Sequence, residues 1–246
     1  MRARLGNFNR RRAFACGGAA TTLSTMELLA GALLERPPGP KYTSELRFAE
    51  IAPKAPLPKP ATLAKWRRKL PEELQLALRV PEACQQSPGG PLRPSDELDA
   101  GVKWLSEAAD ALQASMVVVA TGAEVTPGTR DRERLRAYFA RIARTDGRLV
   151  VWRPTGLWEP ATVQAVARTL SIVGGFDAVS DPVPNADVVY ASLRAEGLRR
   201  SFSHALLLEV LDKLQASGAS RAFVTIESGQ SFREARLLQA LSEGRE

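Results

Sequence analysis

Histidine is almost absent from this chain, in which His204 is the only one among 246 residues. Hydrolytic zinc centres usually draw on several imidazoles, so a site with more than one zinc ion is excluded. A histidine-dependent nucleophile would have to use His204, which lies in the helical pattern SFSHALLLEVLDKL. That position is typical of a surface or capping residue at the start of a helix. We expect neither a metal site nor a cofactor.

Cysteine and long apolar runs are also scarce. Cys16 and Cys84 match no metal-ligand or redox spacing, which indicates a reducing compartment and two ordinary thiols. No apolar run approaches the roughly 18 residues of a membrane span, so we expect no membrane partner. The segment around Arg11 and Arg12 resembles a twin-arginine export signal, with AGA at 30–32 as its cleavage site. Its serine and threonine content, and the strand-like ARLGN ahead of it, favour a cytoplasmic protein.

Positive charge is in surplus, because 34 Lys and Arg residues face 27 Asp and Glu residues, giving a formal charge of +7. Arginine supplies most of it. Such a balance favours anionic partners. The alternative is that the basic residues only keep the protein in solution, as they do in many proteins of similar charge.

Short β-rich runs alternate with helical patterns along the whole chain. Runs such as MVVVA and RLVVW are continuously apolar, as expected where helices cover both faces of a parallel sheet. The predicted strands are Ala3–Gly6, Arg47–Ile51, Leu74–Val80, Ser115–Thr121, Arg148–Arg153, Phe176–Ser180, Val188–Leu193 and Arg221–Ile226. Eight such units close a barrel, so the sequence predicts an α/β, TIM-barrel-like (β/α)8 fold in a single domain over residues 1–246.

Two connections depart from a regular alternation. Only DPVPNA separates the sixth and seventh predicted strands, so a short loop replaces the sixth helix. The stretch Phe48–Val80 contains a cluster of prolines between apolar runs. We interpret this cluster as a stiff strand-to-helix loop on the carboxyl face of the barrel, since proline lowers the entropy lost on ordering a loop.

The first half of the chain carries a family resemblance. Glu50 and Ile51 end a predicted strand, a proline-containing loop leads to Trp66, and LALRV follows with Arg79. This order resembles the YecE-like proteins, also known as domain of unknown function 72. In them a Glu-Ile/Val-Asn step precedes a loop, a tryptophan-bearing helix and a strand ending in Ala-Val-Lys. The resemblance covers most of the chain and implies a TIM-barrel-like fold.

The second half keeps the framework of that family but not its polar groups. VWRPTGLW is similar to a Glu-x-Arg-His-x-x-Trp segment, with Arg153 and Trp158 present but the acid and histidine replaced. RAEG is similar to Arg-Leu-His-Gly, with Arg194 present and Glu196 in place of histidine. A late Phe-Asn-Asn step corresponds to IES at 226–228, without either asparagine. The departures imply a diverged member whose ancestral site is altered or lost.

Parallel strands of a barrel bring their carboxyl ends together at one mouth. We expect the arginines there to bind an anionic ligand, because a guanidinium fork donates two parallel hydrogen bonds to such oxygens. The predicted ligand-binding residues are Arg79, Arg153, Trp158, Arg194 and Glu196, with Trp158 as a stacking surface. The alternative is an internal ion-pair network, in which the acidic residues neutralise the arginines.

Two other functions are open alternatives to a non-catalytic barrel that binds an anionic ligand or a protein partner. Glu50, Asp181 and Glu227 are candidate catalytic residues for hydrolysis of glycosidic or phosphodiester bonds, which commonly uses paired carboxyl groups. Basic clusters at Lys65–Lys69 and Arg141–Arg148 suggest a rim that binds nucleic acid. Trp66 is nevertheless expected in the core because of its helical spacing.

Overall fold

A computed structural model describes residues 26–142, 147–195 and 200–244 of the chain. The strands are β1 (Glu27–Leu34), β2 (Phe48–Ile51), β3 (Gln75–Arg79), β4 (Met116–Thr121), β5 (Leu149–Pro154), β6 (Val173–Gly174), β7 (Phe176–Asp177), β8 (Val188–Arg194) and β9 (Arg221–Glu227). The helices are α1 (Pro40–Thr43), α2 (Pro60–Arg67), α3 (Asp96–Leu112), α4 (Thr129–Ile142), α5 (Pro160–Thr169), α6 (His204–Ala216) and α7 (Ser231–Ser242).

All of these strands belong to one parallel sheet in the order β6-β5-β4-β3-β2-β1-β9-β8-β7. Its two end strands are pieces of one interrupted strand, since only Gly175 separates them along the chain. β6 pairs with β5, and β7 pairs with β8. The sheet therefore closes through a broken sixth strand, and the TIM-barrel-like prediction is confirmed.

The first strand is the element that the sequence analysis placed wrongly within the described residues. β1 is ELLAGALL, where the sequence predicted no strand and where AGA at 30–32 resembles an export cleavage site. Ala30 and Ala32 are completely buried, and β1 pairs with both β2 and β9. Cleavage at 30–32 would thus cut a central strand of the barrel. The predicted strand Ala3–Gly6 and the arginine pair lie outside the described residues.

The two irregular connections have the predicted form. No helix lies between β7 and β8 in the described residues 178–187. The proline-rich stretch contains β2, the loop 52–59, α2 and β3 in succession. Trp104 on α3 donates a hydrogen bond from Nε1 to the carbonyl oxygen of Pro58, at 3.1 Å. That bond fixes the proline loop to the helix layer, so it belongs to the barrel and is not a linker.

Burial follows the two layers expected of such a barrel. One set of apolar side chains fills the space between the sheet and the helices, where α3 contributes Leu98, Leu105 and Leu112. A smaller set fills the barrel interior: Leu29, Phe48, Ala77, Met116, Val118, Val151, Tyr190 and Phe223. Among the helices described here, none combines the length and apolar character needed to cross a membrane.

Candidate functional site at the barrel mouth

The polar site continues the inward-facing positions of the strands that fill the barrel interior, because side chains of a strand alternate between its two faces. On each strand, the side chain two residues after an interior apolar residue also points into the barrel and lies nearer to the carboxyl end of the strand. This spacing relates Phe48 to Glu50, Ala77 to Arg79, Val151 to Arg153, Tyr190 to Ser192, and Phe223 to Thr225. One more step along β9 reaches Glu227. A polar layer therefore lies on top of the apolar one.

Arg79 is the centre of this layer. Its Nε donates to Oε1 of Glu50 at 2.5 Å. Its Nη2 donates to Oε1 of Glu227 at 2.5 Å, and its Nη1 donates to Oε2 of the same carboxylate at 3.2 Å. Arg153 donates from Nη1 to Oε1 of Glu227 at 2.9 Å. Glu50, Arg79, Arg153 and Glu227 thus form an internal ion-pair network, the arrangement considered above as the alternative to an open anion site.

Tyr190 and Thr225 support the network from below, and the sequence analysis missed both. The Tyr190 hydroxyl donates to Oε2 of Glu50 and lies 2.7 Å from Oγ1 of Thr225. Glu50, Tyr190 and Thr225 are completely buried. Residue spacing could have indicated Tyr190, because it precedes the mouth residue Arg194 by four positions on β8 and therefore faces the same side of the strand.

Burial and charge act in opposite directions on these groups. Burial by itself would raise the pKa of Glu227, but the hydrogen bond from Arg79 and the charges of Arg153 and Arg79 lower that pKa to about 2. Burial would lower the pKa of Arg79, yet the charge of Glu50 and the bonds to Glu227 raise it above its ordinary value. Burial, followed by the charge of Glu50, raises the pKa of Tyr190. Arg79 and Glu227 are therefore charged at neutral pH.

Arg153 is held from two sides but is not saturated. Its side chain crosses the backbone of Gly175, where an added Cβ would lie 2.4 Å from Cγ of Arg153. Its Nε and Nη2 form no hydrogen bond with the described residues. Within the described residues, Nε of Arg93 is the only fully buried side-chain nitrogen or oxygen without a hydrogen-bond partner. Nε and Nη2 of Arg153 have no partner either, so they are not fully buried. They are consequently accessible from the mouth.

A cavity of about 790 Å³ opens above this layer. Arg79, Arg153 and Glu227 form part of its lining, and Glu50 lies beneath. Its charged lining residues are Arg79, Arg153, Arg194, Glu82, Glu124, Asp177, Asp181 and Glu227. The cavity thus lies at the carboxyl ends of the strands, where TIM barrels place their functional groups.

Other predicted site residues lie near the network without joining it. Asp181 lines the cavity, but its carboxylate accepts hydrogen bonds from the Asp177 amide at 2.9 Å and from the Ser180 hydroxyl at 3.4 Å. Arg194 is exposed at the end of β8 and lines the cavity. Glu196 lies outside the described residues.

Trp158 also lines the cavity, but little of its ring is available for stacking. The side chain is 8% exposed, and its ring meets that of Trp152 edge to face with centroids 4.7 Å apart. Its Nε1 donates to the carbonyl oxygen of Val125 at 2.7 Å. In this structure Trp158 fixes the wall of the cavity, which differs from the stacking role predicted for it.

The basic rim is neutralised in part, at the described ends of its second cluster. Arg141 pairs with Asp99 at 2.6 Å, and Arg148 pairs with Asp110 at 2.7 Å. Both acids belong to α3, which lies between the two basic clusters. Trp66 packs against the core, as predicted. Among the described residues, no group of three or more His, Cys, Asp or Glu side chains is arranged to hold a metal ion.

Comparison with known proteins identifies the fold. No family model and no curated protein matches the sequence. A DUF72 family protein from Enterococcus faecalis aligns over 89% of this chain and 98% of its own, with a TM-score of 0.61 and 13% identity. The TTHB071 protein from Thermus thermophilus, soaked with ZnCl2, aligns over 89% and 99%, with a TM-score of 0.58 and 18% identity. The resemblance to the YecE-like proteins is thus confirmed in three dimensions: the chain has the TIM-barrel-like fold of solved DUF72 proteins.

Proposed function

We propose that this barrel is a non-catalytic binding protein whose mouth takes up a small anionic ligand at Arg153. The observation that carries the proposal is the difference between two neighbouring arginines. Arg79 uses Nε, Nη1 and Nη2 on carboxylates, whereas Arg153 uses Nη1 alone. Nε and Nη2 form one edge of the guanidinium fork, the geometry that holds a carboxylate or phosphate with two parallel bonds.

The two carboxyl groups of the ion-pair network are poorly suited to acid–base chemistry. A general acid needs a pKa near the working pH, but Glu227 has a pKa of about 2 and stays ionised. Glu50 is completely buried, and its two oxygens accept from Arg79 and Tyr190. Neither group is available to give a proton to a substrate in the cavity. This supports a binding role over hydrolysis.

The size of the cavity favours a small molecule over a protein partner. Pockets for small ligands commonly measure about 300–1,000 Å³. The cavity here, at about 790 Å³, lies within that range. Hydroxyl groups of Thr155 and Ser192 also lie in the lining and already donate to backbone oxygens. Each hydroxyl oxygen retains acceptor capacity for ligand donors.

A simple anion should bind weakly, because net charge does not assist it. Arg79 and Arg153 are balanced by Glu50 and Glu227 within the network. The attraction must come from the two remaining donors of Arg153. Each hydrogen bond to a charged group contributes about 1.5–3 kcal/mol. We therefore expect a dissociation constant near the millimolar range for inorganic phosphate.

The test is calorimetric titration of the protein with inorganic phosphate. Arg153→Gln should weaken phosphate binding by at least about tenfold, because it removes both charge-assisted donors. Arg136→Gln is the matched control: Arg136 is an exposed residue of α4 outside the cavity, and its substitution makes the same change in net charge. Circular dichroism should show that both variants retain the fold. Equal phosphate affinity in the two variants would contradict the proposal.

A further inference from the structure

A second charged side chain of the cavity lining, the exposed Glu124, also lies over a glycine. Glu124 follows β4, and its carboxylate lies over the backbone of Gly122. An added Cβ at Gly122 would lie 2.1 Å from Oε2 of Glu124 and 2.7 Å from Oε1. Both oxygens therefore lie close to the end of the strand. Gly122 makes room for an acid in the same way that Gly175 makes room for Arg153.

Glu124 has no counter-charge of its own. It forms no hydrogen bond and no ion pair with any residue that the structure describes. The lining contains three arginines and five acidic residues, and two of those arginines are engaged by Glu227. The acidic excess lies outside the ion-pair network. It favours a positively charged group in the part of the cavity beside Glu124.

Strand pairing gives the distance between Arg153 and Gly122, the glycine over which the Glu124 carboxylate lies. Ala120 on β4 is the register partner of Arg153 on β5, and Gly122 lies two residues further along. With neighbouring strands about 4.8 Å apart and about 3.3 Å between residues, the Cα atoms of Arg153 and Gly122 are about 8 Å apart. Arg153 and Glu124 nevertheless make no ion pair with each other. The two charged groups line one cavity without joining each other, so a ligand with a few bonds between opposite charges could contact both.

From this arrangement we infer that the ligand is zwitterionic, with its anionic group at Arg153 and an ammonium group at Glu124. The inference rests on the proposed function and narrows it to aminoalkyl phosphates and amino-acid-like molecules. The ammonium would neutralise Glu124 as the phosphate or carboxylate reaches Arg153.

A matched pair of probes tests the inference. O-phosphoethanolamine and ethyl phosphate share the phosphate and differ in whether an ammonium group ends the chain. In calorimetric titrations of the wild-type protein, we expect O-phosphoethanolamine to bind at least about fivefold more tightly. Glu124→Gln should remove this preference. Glu133→Gln, at an exposed acid of α4 outside the cavity, makes the same charge change and should retain it.

Gly122→Ala provides an independent variant that keeps the carboxylate but displaces it. The atoms that an added methyl would strike belong to the flexible end of Glu124, so the fold should be retained. We expect this variant also to lose the preference for O-phosphoethanolamine. Equal binding of the two probes to the wild-type protein, or a preference that survives Glu124→Gln, overturns the inference alone. Failure of both probes and of phosphate to bind overturns the proposed function as well.

Discussion

Arg79 and Glu227 occupy positions where the family resemblance leads one to expect a lysine and an asparagine. A lysine presents a single point of charge, whereas the fork of Arg79 reaches two carboxylates at once. The acid at 227 supplies the second of these carboxylates. The two departures therefore compensate each other, since Arg79 would otherwise face only Glu50. At the scale of single residues, the altered mouth is a new and self-consistent ion-pair network.

Glu227 makes stability depend on acid pH. Its pKa falls from an ordinary 4.5 to about 2 in the folded chain, so its contribution is complete above about pH 4.5 and is lost as the pH falls towards 2. At about 1.4 kcal/mol per pKa unit, this contribution is at most about 3 kcal/mol. We expect Glu227→Gln to lower the free energy of unfolding at pH 7 and to flatten its decline below pH 4.5. Urea denaturation at several pH values measures both effects.

The exposed residue Glu133 again provides the control for charge. Glu133→Gln should leave both the free energy of unfolding at pH 7 and its decline in acid close to those of the wild type. If Glu227→Gln and the wild type lost stability in parallel below pH 4.5, the depressed pKa would not be the cause.

Among the elements, β1 and β2 lie in close backbone contact at Gly31. A Cβ there would lie 2.4 Å from the carbonyl oxygen of Phe48 and 2.8 Å from its carbonyl carbon. Backbone atoms of a paired strand cannot move aside as a flexible side chain can. We therefore expect Gly31→Ala to lower the free energy of unfolding by about 1–3 kcal/mol, the usual cost of overpacking. Thermal or urea denaturation gives the value.

Gly39 offers the comparison for this substitution, because it precedes α1 with no atom within 4 Å of an added Cβ. Gly39→Ala should change stability by less than about 0.5 kcal/mol. If the Gly31→Ala variant were as stable as the Gly39→Ala variant, β1 and β2 would be able to move apart without cost, and the expected overpacking would be wrong.

The fold was more predictable from the sequence than the site, for reasons that particular residues make clear. Continuous apolar runs at β4 and β5 identify parallel strands because both of their faces are buried. β1 has the same composition as an export signal, so its run of apolar residues alone did not distinguish the two. Sequence order predicted that a larger set of strand-end residues, including Arg194 and Asp181 as well as Glu50, Arg79, Arg153 and Glu227, lies at one mouth. It carried no information on which donor meets which acceptor, and that pairing distinguishes Arg153 from Arg79.

For the whole molecule, the arrangement of charge matters more than its total. The chain carries a formal charge of +7, yet Asp99 and Asp110 of α3 pair with Arg141 and Arg148. Arg67 on α2 donates to Gln113 and to the carbonyl oxygens of Pro71 and Glu72. These arginines serve the fold and leave a discontinuous basic surface.

This distribution predicts weak binding of nucleic acid. Each phosphate contact to a single strand adds about 0.7 to the slope of log affinity against log salt concentration. For a single-stranded oligonucleotide, we expect a slope magnitude below about 2, because few arginines are available together. Fluorescence anisotropy across a salt series measures it. A slope of about 4 or more would instead support the nucleic-acid-binding alternative.

Gly175 belongs both to the break in the sixth strand and to the floor under Arg153. The barrel wall is joined there by short ladders on either side, in place of one long strand. A solute that fixes Arg153 also braces this seam. We expect the ligand-bound barrel to be more rigid than the unbound one, with the added rigidity located at the break between β6 and β7.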